Sequence, residues 1–217
     1  MLTEMPRRVV PLVNDHYYHV LNRGVEKRNI FHDDRDRTRF LEMLDYYRYL
    51  GPKPSFSKVG SEQIQDFQDN EKLIEINCFC LMPNHFHLLI KQLKDGGISE
   101  FMRKTSDGYT RYFNLRHDRI GPLFQGAYKA VLIEKDEQLM HVSRYIHLNP
   151  LVSFLTGDLN SFKWSSFPIY LGLQQNDLVN KKEISGFFKD GESYKNFVLD
   201  QADYAIKLEQ IKHALLD

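Results

Sequence analysis

At 217 residues the chain has room for one full domain and a smaller extension. Hydrophobic residues at 42% and aromatics at 13% argue against wholesale disorder, and no unbroken apolar run reaches the roughly eighteen residues a membrane-spanning helix needs. The 29 Lys/Arg are balanced by 29 Asp/Glu, which argues against a uniformly basic nucleic-acid binder and leaves only a local excess of positive charge as a route to phosphate.

That local excess lies mid-chain. Between Arg103 and Lys129 there are six basic residues (Arg103, Lys104, Arg111, Arg116, Arg119, Lys129) against Asp107 and Asp118. From Asp177 onward eight acids outnumber six lysines. The opening MLTEMPRRVVPLVND has two arginines but no apolar stretch of the signal-peptide kind. Cys78 and Cys80 share one apolar run, as expected of reduced core thiols in a cytoplasmic protein.

In chain order, HYYHVLN over residues 16–22 predicts a strand that Arg23-Gly24 ends. Asp33 or Asp34 caps a helix with its apolar stripe at Phe40, Leu41, Leu44 and Tyr47, running to Leu50. Gly51-Pro52-Lys53-Pro54 stops it, and residues 51–71 read as a polar loop. Residues 73–82 and 85–91 form an antiparallel hairpin turning at Pro83-Asn84. After Gly96-Gly97, Ser99 caps a helix reaching about His117. Residues 127–133 make a fourth strand. Asp136 caps a last helix that Pro150 terminates. Residues 194–216 suit a C-terminal helix. The order of elements predicts an α+β fold: a ferredoxin-like split βαβ sheet with helices on one face, plus a C-terminal extension. We expect a main domain over 1–172 and a helical extension over 173–217.

Two short words carry possible chemistry. In His85-Phe86-His87 the histidines stand two apart on a strand, so both point to one face and can converge on one metal ion. In Tyr145-Ile146-His147-Leu148-Asn149-Pro150, Tyr145 and Asn149 are four apart on a helix and share a face. Asn149 offers a neutral oxygen to a hard metal. Tyr145 offers a phenol, a nucleophile once its proton is removed. Taken singly, each word is more often structural. Tyr109 and Tyr112 sit among basic residues and suit base stacking or the core. A zinc site from Cys78, Cys80, His85 and His87 requires the hairpin to align both pairs. His117, His141 and His147 are expected at the surface or as caps.

The longer stretches around these words, NRGVEKRNIFHDDRDRTRFLEML, CFCLMPNHFHLLIK and GPLFQGAYKAVLIEKDEQLMHVSRYIHLNPL, resemble the REP-associated tyrosine transposases, which belong with the single-strand insertion-sequence transposases of the HUH endonuclease superfamily. The resemblance covers about residues 16–170. It implies that His85 and His87 bind a divalent cation, Mg²⁺ or Mn²⁺, that Asn149 completes the site, and that Tyr145 is the nucleophile. The reaction implied is cleavage and rejoining of single-stranded DNA through a covalent 5′-phosphotyrosine. The partner implied is single-stranded DNA with hairpin or palindromic repeats, bound by a monomer or homodimer. Arg23, Arg103, Lys104, Arg111, Arg116, Arg119 and Lys129 are the expected DNA contacts. Family members often read Gln-Gly-Arg where this chain has Gln125-Gly126-Ala127, which implies one basic contact fewer. A non-catalytic DNA-binding module and a replication initiator or relaxase are the competing readings. The second of these usually carries additional regions, and no Gly-rich Walker loop is present.

Overall fold

The computed structural model describes residues 11–51, 54–58 and 71–207. Much of the expected loop 51–71 and the end of the expected helix 194–216 lie outside them.

Strand β1 (Tyr17–Arg23) alternates as its sequence dictates. Tyr18, Val20 and Asn22 point into the core, and Tyr17, His19, Leu21 and Arg23 point to the opposite face. Helix α1 (Asp34–Tyr47) starts where expected, the Asp33 carboxylate accepting from the Asp36 N–H. β2 (Ile74–Met82) and β3 (His85–Gln92) form the expected hairpin. Helix α2 (Gly97–Arg116) begins two residues before Ser99. Its N-cap is Gly96 at φ 67°, a left-handed conformation open to glycine. Gly97 tucks against β2, where a Cβ would lie 2.5 Å from the Leu73 carbonyl oxygen. Close packing there, rather than a side-chain cap, sets the start of the helix.

β4 (Lys129–Ile133) and α3 (Asp136–Val152) complete the pattern. The N-cap of α3 is Lys135, without a side-chain cap, and Asp136 is the first helical residue. Pro150 does not end α3; it is buried inside the last turn, and the helix runs on to Val152. A proline so close to the end removes one bond where few remain. Short helices α4 (Phe167–Tyr170), α5 (Lys182–Ser185) and α6 (Gly191–Leu199) follow.

The sheet order is β2-β3-β1-β4, with every neighbouring pair antiparallel, as the split βαβ pattern requires. α1 and α2 cover one face. Phe40 of α1 meets Phe86 of β3 at 5.1 Å and Tyr109 of α2 at 5.0 Å between ring centroids. Tyr109 is fully buried there, donating to the Ile30 carbonyl at 2.6 Å. The pair α1 and α2 thus lies on one face as expected, while α3 crosses the other face, the one that carries the histidine pair.

The C-terminal extension packs beside α3 and along β2. A bulge between Ile76 and Cys78 breaks the β2–β3 register at Asn77. The Asn77 side-chain amide N–H donates to the Asn180 carbonyl at 2.9 Å, and the Asn77 backbone carbonyl accepts from the Tyr170 hydroxyl at 2.9 Å. This second cover explains why β2 is buried on both faces.

Candidate active site

His85 and His87 project from β3 onto the face crossed by α3, with ring centroids 4.9 Å apart and nearly perpendicular. Their strand is held at its start by the β1 exit. The Gly24 N–H donates to the Asn84 carbonyl at 2.9 Å. A Cβ at Gly24 would lie 2.2 Å from the Arg28 carbonyl oxygen, so only glycine allows this turn. α3 lays Tyr145 over the pair, its ring centroid 5.5 Å from that of His87 and 5.8 Å from that of His19. Tyr145 remains 53% exposed, open to a macromolecular substrate. One turn on, Asn149 donates its side-chain N–H to the Tyr145 carbonyl at 2.7 Å, a bond that uses the amide nitrogen and not its oxygen.

These side chains line one cleft of about 610 Å³, together with Asn22, Arg23, Gln125, Ala127 and Lys129. Six of the eleven expected site residues, spread over β1, β3, β4 and α3, therefore meet there. Arg23 and Lys129 are exposed cations on its lining. The remaining cations lie on or just after α2. Lys104 pairs with Glu100 at 2.7 Å. Arg119 bonds Asn114 and the Pro122 carbonyl. Arg116 forms a salt bridge to Asp33 and Asp36. Arg103 and Arg111 are exposed.

The donor set fits a divalent cation. The His85 Nδ1 is tied to the Asn84 side-chain oxygen at 2.6 Å, and the His87 Nδ1 to the His19 Nε2 at 2.9 Å. Each ring thus turns its Nε2 to the remaining side, and the His87 Nε2 is buried without a hydrogen-bond partner. Burial, reinforced by the Arg23 charge, holds His85 down to about pKa 4. Burial and the neighbouring His85, His19 and Arg23 hold His87 well below the ordinary imidazole value. Both are neutral near pH 7, the form that binds metal.

A second group, His32, Asp36 and His117, brings its ligand atoms within 4.8 Å of one another. It lies where α1 begins and α2 ends, apart from the cleft. The Asp36 carboxylate already accepts from the Arg116 guanidinium, the His32 N–H and the His117 ring. The guanidinium fills the cation's place, and the group acts as a latch between the two helices. Cys80 stands opposite His87 in the hairpin, as a zinc site would need, but its thiol is fully buried against the Met82 sulfur.

Two residues differ from expectation. His147 does face away from Tyr145, yet it is fully buried rather than at the surface, with Nδ1 2.6 Å from the Tyr194 hydroxyl and Nε2 2.7 Å from the Ser166 hydroxyl. His19, which the motifs do not mark, contacts both His87 and Tyr145. Alternation along β1 places it on the cleft face, but only the pairing of β1 with β3 brings it to His87.

Residues 53–149 match the family model described as "Transposase IS200 like". A comparison with curated proteins finds no match. Among solved structures, a REP-associated tyrosine transposase bound to a REP hairpin aligns with a TM-score of 0.53 at 13% identity, over 82% of this chain and 98% of that one. A candidate transposase from Deinococcus radiodurans R1 aligns over 67% of this chain and 95% of that one at 14% identity, with a TM-score of 0.36, too low to carry an argument. The histidine pair, Tyr145 and Asn149 all fall inside the segment that is similar to the IS200-like transposases, and the chain shares the fold of the REP-associated tyrosine transposase.

Proposed function

We propose that the protein cleaves and rejoins single-stranded DNA through a 5′-phosphotyrosine on Tyr145, with Mg²⁺ or Mn²⁺ held by His85, His87 and Asn149. The observation that carries this reading is the convergence of all four side chains on one cleft, with the His87 Nε2 buried and unpartnered at its base. When bound, the cation supplies charge neutralisation and alignment of the phosphate oxygens.

The protein's own groups do the rest. Arg23 and Lys129 draw the phosphodiester into the cleft and hold it by charge-assisted bonds. α3 presents the Tyr145 hydroxyl to phosphorus as a pre-positioned nucleophile. The phenol gives up its proton and its oxygen bonds to phosphorus. The bond from phosphorus to the 3′-oxygen breaks, and that oxygen leaves as a hydroxyl after taking a proton. The phosphate bond energy is stored in the ester, so a 3′-hydroxyl reverses the step without an external energy source. The structural relative was solved with a REP hairpin, and we take DNA with a hairpin beside a single strand as the partner here. The transposase unit spans 1–172, with 173–217 as its extension.

The test is incubation with labelled hairpin DNA from the protein's own genomic flanks and Mn²⁺. A denaturation-resistant protein–DNA adduct is expected, and it should vanish in Tyr145→Phe and in His87→Ala. An adduct that survives Tyr145→Phe overturns the assignment of the nucleophile. Hairpin binding without any adduct favours a non-catalytic DNA-binding module.

A further inference from the structure

His19 is the third residue of β1, on the face that carries the histidine pair. In the antiparallel register Leu21 stands opposite His87 and His19 opposite Leu89, so His19 and His87 are diagonal neighbours. Their rings stack with centroids 5.1 Å apart and planes inclined by 25°. The His19 Nε2 lies 2.9 Å from the His87 Nδ1. The same His19 ring meets Tyr145 edge to face at 5.8 Å.

Two neutral imidazoles share one proton across such a contact, and it can belong to either ring. If His19 donates from Nε2, the His87 proton sits on its own Nε2. That leaves a buried N–H without an acceptor and closes the nitrogen to a metal. If His87 donates from Nδ1, its Nε2 carries a lone pair directed away from His19. His85 has the matching arrangement, with its Nδ1 on the Asn84 side-chain oxygen. Metal-bound histidines ordinarily donate their second ring N–H to a supporting acceptor, which fixes both tautomer and ring orientation.

We propose that His19 is a positioning residue: its Nε2 accepts the Nδ1 proton of His87, and so holds the His87 Nε2 as a metal donor. The inference rests on the metal site proposed above. Each ligand then has its own support, Asn84 for His85 and His19 for His87. With its Nε2 engaged by His87, His19 acts on the cation through that ligand.

The test uses the full chain. Mn²⁺ affinity is measured by electron paramagnetic resonance of the free ion for wild type, His19→Phe and His19→Gln, with thermal melting as a control. Phe keeps a flat ring in the stack and removes the acceptor. Affinity should fall about 10–100-fold. Gln restores an oxygen acceptor and should recover most of the loss. Imidazole ¹⁵N spectra of metal-free wild type should show His87 protonated on Nδ1, a readout that ring packing alone does not set. In His19→Phe the Nε2-protonated form should appear.

Mn²⁺ affinity in a folded His19→Phe within twofold of wild type overturns the proposal, as does a wild-type His87 protonated on Nε2. If His19→Phe does not fold, the wild-type tautomer and His19→Gln decide. Wild type that takes up no Mn²⁺ contradicts the metal site itself, and the tautomer then decides the role of His19 separately.

Discussion

The chemistry of the cleft depends on which nitrogen of each imidazole is free. His85 and His87 are bound at Nδ1 by neighbours and both line the cleft. Replacing either by alanine removes a donor rather than a support. Mn²⁺ affinity should therefore drop by more than the ~10–100-fold expected for loss of a supporting bond; isothermal titration showing a smaller loss for His87→Ala would place the ion elsewhere. The His-Phe-His word was legible because strand side chains alternate with period two, and the structure keeps that alternation with Phe86 in the core. His19 was not legible as a site residue. Its partner lies 68 positions away, and only the strand order brings the two together.

The cysteines make the same point about burial. Cys78 is fully buried, which pushes its thiol from 9.0 up to about 12. The unfolded chain loses that proton near pH 9 and the folded chain only near pH 12. The stabilisation is fully present below pH 9 and fades as pH rises toward 12. Cys78→Ala should flatten the fall of unfolding free energy in that window by at most about 1.4 kcal/mol per pH unit. Urea titrations at pH 8 to 11 check this. Identical slopes in both proteins would mean that the Cys78 thiol does not titrate as an isolated buried group.

Among the elements, α3 works with two faces at once. Tyr145 and Asn149 face the cleft, while His147, between them in sequence, points into the extension. Burial holds His147 down to about pKa 3, so it is neutral and joins Tyr194 and Ser166. The Tyr194 hydroxyl also bonds the Ser143 hydroxyl at 3.1 Å. α6 is thereby fastened to the tyrosine helix by a polar network inside an aromatic cluster, which includes Tyr170 stacked on Tyr194 at 4.7 Å. Tyr194→Phe keeps the ring and strands the His147 nitrogen, so it should cost about 1–3 kcal/mol in urea unfolding. A cost below 0.5 kcal/mol, roughly the floor for an internal hydrogen bond, would mean that the network does not fasten the helix.

The element starts show what a pattern can and cannot reveal. Asp33 capped α1 as its residue type suggested. Ser99 did not cap α2, because the close approach of Gly97 to β2 decides where that helix begins. The position of α3 on the second face was not legible either. Its apolar residues announce a buried stripe, not which side of the sheet it covers.

Across the whole molecule, a zero net charge conceals a division of labour. The cations expected to contact DNA prove to be of two kinds. On and just after α2 the cations pair internally or stand exposed away from the cleft, whereas Arg23 and Lys129 line it. Hairpin affinity should fall with salt, and the double variant Arg23→Ala/Lys129→Ala should flatten the log–log slope by about 0.7 for each lost phosphate contact. Arg103→Ala/Arg111→Ala should leave that slope unchanged, so flattening in this pair would place DNA along α2 instead. Binding isotherms across a range of KCl concentrations distinguish the two. Among the described residues, no helix is long and apolar enough to cross a membrane.

Peptide mapping tests whether Tyr145 becomes covalently joined to DNA. The protein is trapped with hairpin DNA and Mn²⁺, then digested with nuclease and protease and sequenced by tandem mass spectrometry. A nucleotide mass on Tyr145, in the peptide containing Tyr-Ile-His-Leu-Asn-Pro, is the expected outcome. The same mass on Tyr109, Tyr112 or any other residue would contradict it.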